Sequence, residues 1–136
     1  MKKVVLGILV ACIVAGGVAY KMYNKPHRDI GSEEAVATLS ADELFTAFDE
    51  DEAAANAIYL DQVIEVSGIV DEVTEDAEGS TVVVLKAETA MMGGVSATFD
   101  PSINETGTKA GDFMRIKGRC TGMLMDVVLI NCFPAE

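Results

Sequence analysis

From Val63 to Val70 the chain reads Val-Ile-Glu-Val-Ser-Gly-Ile-Val. Side chains alternate across a strand, so Ile64, Val66, Gly68 and Val70 share one face and Val63, Glu65, Ser67 and Ile69 share the other. The stretch reads as the first strand of a series. Thr81-Val82-Val83-Val84-Leu85-Lys86 is a second, whose unbroken apolar run hides which face points inward. Met91-Met92-Gly93-Gly94 turns the chain, and Val95–Phe99 alternates as a third. Phe113–Cys120 is a fourth, with Met114, Ile116, Gly118 and Cys120 on one face. Val127–Phe133 is a fifth, stopped by Pro134. Asp71–Ser80 reads as an acidic loop, and Pro101–Gly111 as a loop or one helical turn.

Upstream the period changes from two to that of a helix. Ser40-Ala41-Asp42-Glu43 is a capping box, a Ser N-cap with Glu three residues on. Leu44, Phe45 and Phe48 form one apolar stripe, and Ala53 to Ile58 continue with good helix formers. The pattern predicts one kinked helix or two short ones over Ala41–Leu60. The acid run Asp49–Glu52 reads as a solvated face, placed where a second helix's dipole favours negative charge; its sharper reading is a site for a cation or a basic partner. Gly31–Leu39 is small and polar and reads as irregular.

The amino-terminal pattern is different again. Lys2 and Lys3 precede an uncharged run from Val4 to Tyr20, closed by Lys21. As a helix it spans roughly 26 Å at about 1.5 Å per residue, the short end for a bilayer. Met22 and Tyr23 extend it if Lys21 snorkels. The leading reading is a transmembrane signal anchor over residues 1–23, then a linker over 24–39 containing Pro26 and the lone His27, then a domain over 40–136. Two alternatives stand. Leu9-Val10-Ala11-Cys12 is similar to a lipobox, with Cys12 lipidated, and cleavage near Ala15–Ala19 would mark a plain signal peptide. Flanking positive charge is nearly tied, so orientation rests on the usual behaviour of single amino-terminal anchors, which places the domain outside the cytoplasm, in the periplasm or its equivalent.

Charge narrows the partners. The sequence has 10 Lys and Arg against 22 Asp and Glu. All the acids lie at or after Asp29, with five of the basic residues, so that region carries a net charge of −17. Such a surface repels phosphate backbones, which disfavours nucleic acid. Trp is absent, leaving little aromatic surface for stacking on bases.

Five short strands, with the irregular excursion between the third and fourth, is the order of an OB-fold barrel. The expected fold is therefore mainly β: a five-stranded OB-fold barrel preceded by a short helical segment and an N-terminal transmembrane helix. Residues from about Leu39 to Phe133 resemble the tRNA_anti-like OB-fold family of small bacterial proteins. The resemblance rests on Ala55-Asn56, Tyr59-Leu60, Val63–Val70, Gly111, Arg115–Gly122 and Val127–Cys132; the linker Asn24–Asp29 is similar to that of membrane-anchored members. The resemblance implies the fold and carries no catalytic residue.

Three constellations hold candidate chemistry. If the last two strands form a hairpin near Met125-Asp126, Cys120 lies across from Cys132 on the inward face. A disulfide there would close a loop of about a dozen residues, worth roughly 3 kcal/mol at best, and would suit a compartment outside the cytoplasm. Two reduced core thiols are the alternative; a redox or metal role lacks a Cys-x-x-Cys. Arg115, Lys117 and Arg119 alternate on the outer face of the fourth strand, with Lys109 close in sequence. They read either as a stripe paired with local carboxylates or as a face for an acidic ligand or partner. Met91, Met92, Met114, Met123 and Met125 read as core and hinge fillers rather than a soft-metal site. No dinucleotide fingerprint, Walker loop or Ser/His/Asp set is present, so no cofactor, metal ligand or catalytic residue is assigned. The expected function is a non-enzymatic, membrane-tethered OB-fold module of the cell envelope, binding a protein or small ligand. The alternative is a nucleic-acid-binding OB-fold, for single strands or tRNA-like partners, facing the cytoplasm.

Overall fold

The computed structural model describes residues 2–23, 29–103 and 106–136, with side chains from Gly7 onward apart from Leu9. The expectations for His27 and for the residues around Pro26 lie outside the described residues. In chain order the elements are α1 (Lys2–Tyr23), β1 (Thr38–Ser40), α2 (Ala41–Glu50), α3 (Glu52–Tyr59), β2 (Val63–Glu75), β3 (Thr81–Lys86), β4 (Gly94–Phe99), β5 (Phe113–Met123) and β6 (Val127–Pro134). Among the described residues no helix is long and apolar enough to cross a membrane. The uninterrupted described side chains of α1 begin only at Val10, and the exposed ones include Ile8, Val10, Ile13, Val14 and Val18.

The sheet runs β1-β2-β3-β4-β6-β5, and a further pairing of β2 with β5 closes β2 to β6 into a five-stranded barrel. Within the ring β4 and β6 are parallel and the other pairs antiparallel. Alternation fills the interior as expected for β2: Ile64, Val66 and Val70 are buried. It also settles the ambiguous strand, since Thr81, Val83 and Leu85 point inward on β3 while Val82 and Val84 are half-buried. Helix α2 contributes Ala41, Leu44, Phe45 and Phe48 to the same core. Each large apolar side chain removed from water there stabilises the fold by about 1.5–3 kcal/mol.

The helical lead-in is two helices. The capping box is complete: Glu43 N–H donates to Ser40 Oγ at 3.1 Å and Ser40 N–H donates to Glu43 Oε2 at 2.8 Å. Those bonds hold the Glu43 carboxyl below its ordinary 4.5, chiefly through the Ser40 backbone N–H. Asp51 ends α2 and caps α3, accepting from Ala54 N–H at 3.0 Å. The acid run is thus divided between two helices, with Asp51 satisfying a helix start.

The segment expected to be irregular ends in β1, which lies parallel to β2 with Leu39 beside Val66. The chain before it is pinned as well. Val36 N–H donates to the Val63 carbonyl at 2.8 Å and Glu65 N–H to the Ala37 carbonyl at 2.9 Å, and Ile30 is fully buried.

The expected disulfide is corrected. Cys120 and Cys132 are buried free thiols. The β5–β6 hairpin pairs Met123 with Val127, so its turn is centred on Met125, and a bulge follows between Cys120 and Gly122. Cys120 consequently faces Leu129, and Cys132 packs on Gly118, where an added Cβ would collide with Cys132 Sγ. The glycine makes room for the sulfur. Burial pushes both thiols up, with the charge of Asp61 adding to the effect at Cys120. Neither is a reactive thiolate at neutral pH.

Candidate functional site

β2 does not stop at Val70. A bulge between Val70 and Glu72 lets it continue as a ribbon with β3, pairing Glu72 with Val84, Val73 with Val83, Thr74 with Val82 and Glu75 with Thr81. A bulge adds twist and turns a strand out of the parent sheet. The ribbon closes in a tight turn. Asp76 accepts from the N–H groups of Glu78 at 2.9 Å and Ser80 at 2.8 Å, and Gly79 takes a φ of 84°, which glycine adopts without strain. The stretch read as an acidic loop is therefore half strand. The β-branched pair Val73-Thr74 ahead of Gly79 was the signal for it, masked by the surrounding carboxylates.

Strand β5 begins at Phe113, opposite Ile69. Val70 is still bonded on that side, its N–H donating to the Asp112 carbonyl at 2.8 Å and its carbonyl accepting from Gly111 N–H at 2.7 Å; beyond it, an open cleft of about 700 Å³ lies against the β2–β3 ribbon. Val73, Thr74 and Glu75 of β2 with Thr81 of β3 form one wall, and Thr106 to Lys109 of the loop entering β5 form the other. Thr108 Oγ1 is turned toward Met114 Sδ at 3.6 Å and the Thr106 carbonyl at 3.3 Å, which fixes that wall. A second cleft, about 270 Å³, lies between the start of α2 and the middle of β2 and collects Asp42, Ile69, Lys86, Glu88 and Phe113.

The basic stripe lies on the outer face of β5 and is engaged by the chain itself. Lys117 Nζ donates to the carbonyls of Gly31 and Glu33, both at 2.9 Å. Arg115 faces Glu65 at 3.8 Å and donates to the Glu136 carbonyl at 3.1 Å. Arg119 faces Asp61 at 3.6 Å. The three cations staple the incoming segment and the carboxy terminus to the barrel. Lys109 lies apart from them, in the wall of the larger cleft. The methionines are not brought together either: Met114 is buried and Met123 packs against the core, while Met91, Met92 and Met125 stand exposed with Leu124 on the turns after β3 and β5. Cys12 is on exposed α1. Among the described residues no group of three or more His, Cys, Asp or Glu side chains is placed to hold a metal ion.

Residues 1–133 match the sequence profile of the tRNA_anti-like family. The chain belongs to that family. Membership fits the closed ring of β2 to β6 and places the resemblance seen in the strand glycines on the whole chain. Among solved structures, this tRNA_anti-like chain is similar to a protein from Klebsiella pneumoniae subsp. pneumoniae MGH 78578 described as a "putative nucleic acid-binding lipoprotein". The likeness has a TM-score of 0.61 at 17% identity and covers 82% of this chain and 100% of that one. At that identity it establishes a shared fold. No curated protein matches the chain.

Proposed function

We propose that this tRNA_anti-like protein is a membrane-tethered, non-enzymatic OB-fold module that works outside the cytoplasm and binds a partner compatible with a strongly acidic surface. One observation carries the reading. Of the three cations of β5 that could have faced an acidic ligand, Lys117 is held by two backbone carbonyls, Arg115 by a carbonyl and a 3.8 Å ion pair, and Arg119 by a 3.6 Å ion pair, its Nε buried without a hydrogen bond. What remains open among the described residues includes many exposed carboxylates, Asp71, Glu72 and Glu75 among them. A partner must gain, or at least not lose, from that potential.

Tethering is supported by α1. Its described apolar side chains Ile8, Val10, Ile13, Val14 and Val18 are exposed, and lipid would cover them. The description of the Klebsiella protein as a lipoprotein agrees with a membrane-associated domain. Its description as nucleic acid-binding is the competing function. That reading needs an accessible basic face, and the barrel offers Lys86 and Lys109, on separate clefts.

Two measurements test the proposal. A topology reporter fused after Glu136 reads the domain as extracytoplasmic; a cytoplasmic signal overturns the tethering orientation. Fluorescence anisotropy with single-stranded oligonucleotides shows no salt-sensitive binding at micromolar protein; clear binding that weakens steeply with salt overturns the acidic-module reading.

A further inference from the structure

The larger cleft has one wall made of bare strand edge. Asp76 N–H donates to the Ser80 carbonyl at 3.0 Å and Gly79 N–H to the Asp76 carbonyl at 3.1 Å, so Asp76 and Ser80 form a hydrogen-bonded pair at the end of the ribbon. Hydrogen-bonded and non-bonded pairs alternate along an antiparallel ladder. Counting back, Thr74 and Glu72 direct their N–H and C=O groups to β3, and Val73 and Glu75 direct theirs away from it, to the side on which Val70 bonds Asp112 and Gly111. Among the described residues these groups have no backbone partner there. An open row of N–H and C=O groups is a template for one more strand. Natural edges are usually short, covered or guarded by lysine. This one carries Asp71, Glu72 and Glu75, all exposed, with Val73 part-exposed between them.

We infer that the β2 edge at Val73–Glu75 is a strand-addition site for an extended basic peptide segment of a partner protein. The inference rests on the acidic-module reading above and names the partner class. Backbone bonds to Val73 and Glu75 supply the docking, as in other cases where a peptide extends a sheet. Lysine or arginine at alternate positions meets Glu72 on one face of the ribbon, and a small apolar residue between them covers Val73, beside Glu75, on the other. The far wall, Thr106 to Lys109, includes one amine, Lys109, which suits the carbonyl side of an added strand. A second copy of this chain is a poor occupant because the same carboxylates would face each other.

The test uses the full chain in detergent micelles and three labelled hexapeptides: alternating Lys-Val, the same sequence N-methylated at every second residue, and alternating Glu-Val. The Lys-Val peptide binds. N-methylation keeps the charge and removes backbone donors, so it weakens binding about tenfold or more, and the Glu-Val peptide does not bind. Val73→Pro deletes a cleft-facing donor without touching the β3 ladder and weakens Lys-Val binding by a similar factor at an unchanged melting temperature. Equal affinity for the methylated peptide, or for Val73→Pro protein, overturns strand addition while leaving the acidic-module reading in place. Absence of Lys-Val binding together with oligonucleotide binding overturns both. Dimerisation that Val73→Pro abolishes assigns the edge to a second copy and also overturns the inference.

Discussion

The two halves of β2 are one continuous strand with opposite environments. Val63 to Ile69 is bonded to β5 along its whole length and to β1 over Glu65–Ser67. Asp71 to Glu75 is bonded to β3 alone and is exposed throughout. The first half closes the barrel, because every backbone group must be satisfied where water is excluded. The second half is turned out of the barrel at the Asp71 bulge, so water can satisfy its free edge. A few residues thus separate a segment sealed on both sides from one open on one side.

The largest effect should come from emptying the first half. Ile64 is fully buried and pairs with Gly118. Ile64→Ala removes three carbons from a packed interior, and the expected loss is about 2–5 kcal/mol, read from denaturant unfolding. A loss under about 1 kcal/mol would mean that the barrel interior is loosely packed and the contrast between the halves is weak.

The seam opposite Ile64 gives a sharper test. Gly118→Ala drives a methyl into Cys132 Sγ and is expected to cost about 1–3 kcal/mol. Cys132→Ala removes that sulfur. In the double variant the new methyl occupies the vacated space, so the two losses should fail to add by more than about 0.5 kcal/mol. Strict additivity would show that the glycine is there for another reason. The native thiols give an independent check. Both are buried and protonated, so alkylation at pH 8 should label them only after unfolding, and a mass two daltons low would restore the disulfide that the register excludes.

How much of this was legible in the chain depends on which rule decided each position. The barrel strands and the capping box follow from local alternation and from Ser40-x-x-Glu43, and the structure keeps them. The pairing of Cys120 with Cys132 failed because a hairpin register is set by the turn and by bulges. Neither the shift of the turn to Met125 nor the bulge at Thr121 leaves a mark in hydrophobic periodicity. The basic stripe was visible as a pattern, but its fate depended on Gly31, Glu33 and Asp61, which contact it from far along the sequence. The strand edge was missed because Asp71, Glu72 and Glu75 look like loop residues. They are exposed in the strand as they would be in a loop, so burial did not mark them either.

The start of α2 stands between these extremes. Ser40 lies beside Ser67 on the closed half of β2 and caps the helix at once. Ser40→Ala should cost about 1 kcal/mol, measured by thermal or denaturant unfolding. The pH dependence has a definite sign. The folded Glu43 carboxyl sits below its ordinary 4.5, so its stabilisation is complete above that value and is lost as pH falls through the lower, folded one. Glu43→Gln should flatten that part of the acid limb by lowering stability at neutral pH toward its acid level, with little change at low pH. An unchanged acid limb would show that the carboxyl bonds water instead.

The smallest effect is the one that bears most on the division of β2. Val73→Ala and Glu75→Gln alter side chains that stand in solvent on the outer half, and each should change stability by no more than about 0.5 kcal/mol. If either cost as much as Ser40→Ala, the ribbon would be holding the barrel together, and its exposed edge would be a by-product of the fold. If both are silent in unfolding, the carboxylates and the bare edge are not maintained by the fold. Five acidic side chains in the eight residues from Asp71 to Glu78 repel one another and weaken their own hairpin. If the hairpin adds nothing to stability, the proposed peptide partner is what would account for it.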